Sequence, residues 1–284
     1  MTAIAVPSLP QALETGLRGQ RDDWDDSKLH ISDLAVAIGE KCPRQLWLRL
    51  RGAEKKPESA GKLLMFDHGH RIHERLIEII RSGLSNGWKI QAVEKQVALG
   101  EITGRFDTRL WNETEGWEII VDFKTLRGRA FGYLTEAKPS HVLQVQSYIA
   151  AADADGGLVF YVDREGENAA RQFYVQRNDD RVWDAAETAI AIAKQEEPPP
   201  ILEPKLKIGK NKGPDSVKLE QPWQCEYCEY SGPSCPGALP PKMRGLGIIG
   251  YLDEGEFKPK KGFEKLVLMV EELADRQGLS PVPF

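Results

Sequence analysis

Hydrophobic and polar positions change period along this chain, and the changes mark its elements. Between Ala60 and Arg81, the residues Leu63, Phe66, His70, His73, Ile77 and Ile80 recur in steps of three and four. That spacing predicts a long helix with one packed face. From Lys89 the period falls to two. Lys89 to Leu99 reads as a strand, and Gly104 to Thr125 (GRFDTRLWNETEGWEIIVDFKT) as two more, joined by a polar turn over Asn112 to Gly116. On the first of these two, alternation puts Phe106, Thr108 and Leu110 on one face and Asp107 and Arg109 on the other. On the second, Trp117, Ile119, Val121 and Phe123 form the expected core face, opposite Glu118, Ile120, Asp122 and Lys124.

Flanking segments complete an α/β pattern. From Leu29 the stretch HISDLAVAIGEKCPRQLWLRLRG predicts two short helices, with Ser32 or Asp33 capping the first and Pro43 in the first turn of the second. Pro139 opens a helix through Ala152 that carries His141, Gln144 and Tyr148 as a polar stripe. Gly157 to Asp163 and Arg171 to Gln176 read as strands, and Asn178 to Gln195 as a helix with alanines on its packed side. This order predicts a mixed sheet flanked by helices. Residues 1–27 read as an acidic N-terminal arm, 28–195 as the core and 196–222 as a Pro- and Lys-rich linker. A cysteine-bearing segment at 223–237 and an extension at 238–284, with an amphipathic helix from Lys261 to Gln277, follow.

Composition narrows the function classes. A chain of 284 residues with net charge -5 is no broadly basic nucleic-acid coat, although a local basic groove remains compatible with it. The start MTAIAVPSLP has no basic region ahead of its short apolar run, and no apolar stretch reaches the length of a membrane span. A cytoplasmic protein without a membrane partner is expected.

The motif strands carry the candidate chemistry. Asp107 and Asp122 can be brought to one edge beside Lys124, a grouping that is unfavourable to bury unless it holds a cation. Phosphodiester hydrolysis needs an activated water and a neutralised leaving oxygen, and Mg2+ or Mn2+ held by carboxylates supplies both. Asp107, Asp122 and the backbone carbonyl of Phe123 are the expected oxygen ligands, and His73 the imidazole ligand if its helix packs beside the strands. Lys124 would orient water and stabilise charge on phosphate. Gln144 and Tyr148, four apart on one helix face, could bind phosphate or brace Lys124. Arg127, Arg129 and Lys138, just after the motif strand, are the expected phosphate contacts. Each feature taken singly has an ordinary structural explanation: a surface Asp–Lys pair, a core histidine, an amphipathic helix.

Cys225, Cys228 and Cys235 form C-x2-C-x6-C, and Cys42 stands alone near the other end of the chain. Four thiols in this split suit a [4Fe–4S] cluster better than zinc, which usually takes two close C-x2-C pairs, though spacing leaves both open.

Five motifs now stand in order: G-x3-H-E (Gly69 to Glu74), G-R-F-D (Gly104 to Asp107), V-D-F-K-T (Val121 to Thr125), Q-x3-Y (Gln144 to Tyr148) and the one-plus-three cysteines. Together they resemble the RecB-type branch of the PD-(D/E)XK nucleases and its iron–sulfur subgroup. That subgroup includes the AddB nuclease domain, the CRISPR-adaptation exonucleases and many phage exonucleases. The resemblance implies a restriction-endonuclease-like core with His73, Asp107 and Asp122 as metal ligands and Lys124 as the catalytic lysine. It also implies that Gln144 and Tyr148 assist at the DNA and that the four cysteines hold the cluster as a structural staple. The implied activity is a metal-dependent DNA exonuclease acting on DNA ends, single-stranded by preference, in recombination, repair or phage DNA metabolism. The alternatives are a non-catalytic DNA-end-binding or assembly protein on the same fold, and a CRISPR-adaptation nuclease. Residues 238–284 run past the motif set and offer a surface for a protein partner.

Overall fold

Period-two residues build a single five-stranded sheet. Its strands are β1 (Trp88–Leu99), β2 (Ile102–Asn112), β3 (Glu118–Leu126), β4 (Gly156–Asp163) and β5 (Ala170–Gln176), and they lie in that order across the sheet. All neighbours are antiparallel except β3 and β4, which are parallel and therefore need a crossover. The computed structural model describes residues 25–165, 170–208, 217–237 and 249–250, with positions 13, 15–17 and 276 besides. Most of the expected N-terminal arm, and all but position 276 of the expected helix from Lys261 to Gln277, lie outside the described residues.

The helices follow the sequence closely. A 3-10 helix spans Ile31–Ile38, α1 Pro43–Leu50 and α2 Ala60–Gly83; then come α3 (Gly128–Gly132), α4 (Pro139–Ala152) and α5 (Asp179–Lys194). Pro43 and Pro139 open α1 and α4, where a missing N–H removes no helical bond. Ser59 caps α2 by accepting from Lys62 N–H, and Asn178 caps α5 by accepting from Arg181 N–H. The cap expected at Ser32 or Asp33 is instead His30. Asp33 sits in the first turn, accepts the His30 N–H at 2.8 Å and pairs with Arg49.

Two apolar layers cover the sheet. On one face, Val145 and Ile149 of α4, Ala186 and Ala189 of α5 and Ile31 of the 3-10 helix pack with Phe106, Ile120 and Val159. On the other, Ile77 of α2 packs with Leu110, Val121 and Phe123, flanked by Leu76 and Ile80. The stripe predicted along α2 is thus core only in part. Phe66 is 52% exposed and His70 is exposed too, because the N-terminal half of α2 forms a cleft wall rather than a core layer. Trp117 departs from its expected core place. It lies in the turn before β3 begins and is 50% exposed.

The chain divides into two compact units, Met1–Ala53 with Pro57–Pro199, and Glu54–Lys56 with Pro200–Phe284. The sheet and helices above make the first. In the second, the segment expected as a linker carries strands β6 (Lys205–Ile208) and β7 (Val217–Glu220), which pair with each other, and β7 pairs also with β8 (Ile249–Gly250). A single helical turn, α6 (Trp223–Glu226), then leads into a tight knuckle. There the Ser231 N–H donates to Cys228 O, the Cys235 N–H to Tyr230 O, and the Gly232 N–H to Cys235 O. No helix of the described residues is long and apolar enough to cross a membrane.

Candidate active site

Strand pairing places the site. The β2–β3 ladder runs from Trp111 opposite Glu118 to Thr108 opposite Val121, and there it stops. Beyond that point β2 stays paired with β1 as far as Ile102, and β3 stays paired with β4 as far as Leu126. The sheet therefore forks. Asp107 and Asp122 are the first residues past the last rung, one on each prong. In place of a ladder bond, the Phe123 N–H donates to Asp107 Oδ2 at 2.6 Å. The fork opens the sheet, so groups from both of its faces can meet at one point.

Each neighbour arrives from a different element. His73, on α2, brings Nδ1 to 3.7 Å from Asp107 Oδ2 and lays its ring against Phe123 at a 5.8 Å centroid distance. Lys124 Nζ lies 2.8 Å from Asp122 Oδ2. The pair is well shielded from solvent, the Asp122 side chain being only 2% exposed. From α4 comes a relay: Lys124 Nζ donates to Gln144 Oε1 at 3.1 Å, and Gln144 Nε2 donates to Tyr148 Oη at 3.1 Å. His73, Asp107, Phe123, Lys124, Gln144 and Tyr148 line a cleft of about 670 Å³, and Asp122 lies buried beside Lys124.

Electrostatics follow from the crowding. Burial first, then the charge of Asp122, push the Asp107 carboxyl well above its usual range. Burial alone would lower the Lys124 pKa, but Asp122 and then Asp107 outweigh it, and the ammonium is held above its ordinary value. Burial and the Lys124 charge lower His73, so its ring is a neutral ligand-competent imidazole at neutral pH. Tyr148 is raised, by burial first and then by Asp122, and keeps its proton.

This donor set fits a divalent cation. A buried and a half-buried carboxylate share a site with one ammonium, and an imidazole stands at hand. Among the described residues, no group of three or more His, Cys, Asp and Glu side chains is already arranged to hold a metal. Asp122 turns to Lys124, and Asp107 to the Phe123 N–H.

Of the expected phosphate contacts, Lys138 lines the cleft, Arg127 lines a neighbouring groove between α2 and the end of β3, and Arg129 is exposed on α3. His70 is exposed and 3.8 Å from Glu74. Cys42 is the residue before α1 and is buried in the first unit; Cys225 is buried in the second, with Cys228 and Cys235 half-buried beside it in sequence.

Sequence reasoning missed several cleft residues. Glu94, on β1, has φ 48, a left-handed strain in mid-strand, and pairs with Arg105 at 2.8 Å. Its charge is one more that raises Asp107. Tyr161 gave no signal because it looks like any apolar strand residue until the parallel register sets it beside Lys124. His141 stood on the predicted polar stripe, but nothing in the spacing gave it a role.

A sequence model of the PD-(D/E)XK nuclease superfamily matches residues 31–236. No curated protein matches the chain. Several solved structures are distantly similar. The crystal structure of SSO0001 shares 16% identity at a TM-score of 0.47, covering 81% of this chain and 95% of that one. An alkaline exonuclease from Laribacter hongkongensis shares 13% identity at 0.43, over 58% and 86%. A phage-related exonuclease from Haemophilus somnus 129PT shares 17% at 0.42, over 59% and 92%.

Proposed function

We propose that this chain, which belongs to the PD-(D/E)XK nuclease superfamily, is a metal-dependent deoxyribonuclease, an exonuclease that hydrolyses phosphodiester bonds at DNA ends with single strands preferred. One observation carries the reading. A buried acid, Asp122, and a half-buried one, Asp107, stand at the mouth of a forked sheet, beside an ammonium that α4 braces through Gln144. Such an arrangement disfavours folding unless a cation and a phosphate complete it.

Bound Mg2+ or Mn2+ would activate water and neutralise the leaving oxygen. Asp122 and Asp107 would hold it by their carboxylates, His73 by a neutral ring nitrogen and Phe123 by its carbonyl. Lys124 retains its proton, so it stabilises charge on the phosphate and does not take a proton from water. Gln144 fixes the ammonium and Tyr148 fixes Gln144. Lys138, Arg127 and Arg129 would contact strand phosphates. The four cysteines would hold a [4Fe–4S] cluster, with zinc as the competing occupant; their one-plus-three spacing along the chain supports this.

The test joins anaerobic purification, iron and sulfide assay and digestion of end-labelled strands with Mg2+ or Mn2+. Wild-type protein should degrade single strands from an end, and Lys124→Ala should lower the rate by about a hundredfold or more while leaving metal content unchanged. Metal-dependent binding without digestion would give the chain a DNA-end-binding role instead. Four irons and four sulfides per chain are expected, and stoichiometric zinc without iron would replace the cluster reading.

A further inference from the structure

The cleft holds a histidine that the hydrolytic mechanism above does not use. His141 lies in the first turn of α4, half-buried, lines the cleft and turns the Nδ1 edge of its ring toward β4. Its Nδ1 is 2.7 Å from Tyr161 Oη, and the two rings lie 5.6 Å apart. The same hydroxyl accepts the Lys138 backbone N–H at 3.0 Å. Tyr161 is fully buried, so its hydroxyl proton needs an acceptor inside the protein. Among the described residues, His141 Nδ1 is the acceptor in reach. If Nδ1 carried a proton instead, two donors would face one oxygen and the tyrosine proton would be stranded. The network therefore fixes the tautomer: Tyr161 O–H donates to a bare Nδ1, and the proton resides on Nε2. That nitrogen makes no hydrogen bond to any described residue, and it lies on the side of the ring away from Nδ1 and Tyr161, in a residue that lines the cleft.

We propose that His141 is a fixed, neutral hydrogen-bond donor of the cleft, offering Nε2–H to a phosphate oxygen of the bound strand, with Tyr161 as the residue that sets its tautomer. The proposal rests on the nuclease reading for the identity of the ligand, but not for the state of the ring. Several groups keep the ring uncharged. Lys124 on β3 and Lys138 ahead of α4 both face it, and the positive end of the α4 dipole lies beside it. Burial first, and then these two ammonium groups, push His141 down to about 3. A neutral N–H donor can sit beside Lys124 without repelling it, which an imidazolium could not. The lysine and histidine then bind different oxygens of the strand, one by charge and one by direction.

The ring state is read directly by long-range 1H–15N correlation on protein labelled at histidine; with five histidines, single substitutions assign His141. A protonated Nε2 and bare Nδ1 are expected from pH 5 to 8, and Tyr161→Phe should release the ring to a mixture of tautomers. An Nδ1–H form or an imidazolium at neutral pH overturns the proposal. Ligand binding is read by anisotropy of a fluorescent single-stranded oligonucleotide with Ca2+, with and without a 5′-phosphate, and by KM against kcat with Mn2+. His141→Leu should weaken binding and raise KM about ten- to hundredfold, the range of one hydrogen bond to a charged group, with kcat less affected. His141→Gln, which restores a donor near Nε2, should recover most of the loss. A loss confined to the phosphorylated strand assigns a terminal phosphate, and an equal loss on both assigns an internal phosphodiester. Unchanged binding in folded His141→Leu removes the role. Wild-type protein that binds strands but never cleaves them would sink the nuclease reading alone, because ring state and affinity are measured without turnover.

Discussion

Asp107 shows what a functional residue asks of its fold. Its carboxyl is nearly enclosed, it sits opposite Asp122, and it closes the fork by accepting the Phe123 N–H. The folded state holds the Asp107 proton more tightly than the unfolded chain does. The stability this gives is therefore fully present below the usual 3.8 and is lost as pH rises through the elevated value. His141 works in the opposite direction: its pKa falls from 6.5 to about 3 on folding, so stability is lost as pH drops through that window. In EDTA the protein should thus lose stability on both sides of a mildly acidic optimum. Asp107→Asn keeps an acceptor for Phe123 and removes the repulsion with Asp122. It should raise the metal-free melting temperature at pH 7 to 8 and flatten the alkaline limb. The same change should abolish the rise in melting temperature that Mn2+ gives the wild type, a rise that should itself grow with pH as the competing proton leaves. Differential scanning fluorimetry across pH, with EDTA and with Mn2+, reads all three effects. A metal-free Asp107→Asn protein less stable than wild type would count against the buried acid pair as the source of strain.

Among the elements, the forked pair β2 and β3 does the positioning, and Gly104 explains why its first motif begins with glycine. A Cβ there would lie 2.7 Å from Ile31 Cδ1 and 2.9 Å from Tyr148 Cε1, both on buried side chains. Gly104 thus lets β2 approach the 3-10 helix and α4 closely enough for Tyr148 to hold Gln144. Gly104→Ala should destabilise the protein by about 1–3 kcal/mol through overpacking. It should also lower the cleavage rate more than a surface mutation of equal stability effect, since Tyr148 must move. Chemical denaturation paired with the digestion assay tests both halves, and a loss of stability with full activity would detach Tyr148 from the relay. Strands β1 to β5 were legible from their period, α2 from its three-four spacing, α4 from its opening proline and α5 from its alanine-lined side, whereas β6 and β7 read as linker. Asp107, Asp122 and Lys124 were legible because alternation alone sets them on a common edge. The fork was not, since it depends on where a ladder stops, and ladder length is a tertiary outcome. Trp117 failed for a related reason: alternation assigns a face but cannot say that a strand has yet to begin. Tyr161 and Glu94 were invisible because their partners lie on strands whose register no local pattern gives.

At the scale of the molecule, the question is how a chain of net charge -5 engages a polyanion. A local concentration of cations answers it. Lys138, Arg105 and Arg164 border the cleft, and Arg127 and Arg164 border the adjoining groove with Arg71 and Arg75. Arg71 and Arg75 are paired with Asp67 and Glu78 on their own helix, and Arg105 with Glu94, so the effective count of phosphate contacts is small. With about four such contacts, log affinity for a single strand should fall against log salt with a slope of about -3, shallow beside proteins that coat nucleic acid. Lys138→Ala and Arg127→Ala should each reduce that slope by about 0.7 and weaken binding alike on every sequence. Anisotropy titrations with Ca2+ at several salt concentrations give the slope. A near-zero slope would mean that the strand is held by its bases and not by its backbone. A far steeper one would mean that cations beyond the cleft and groove take part, and the region after Pro200, with its lysines, would be the first place to look.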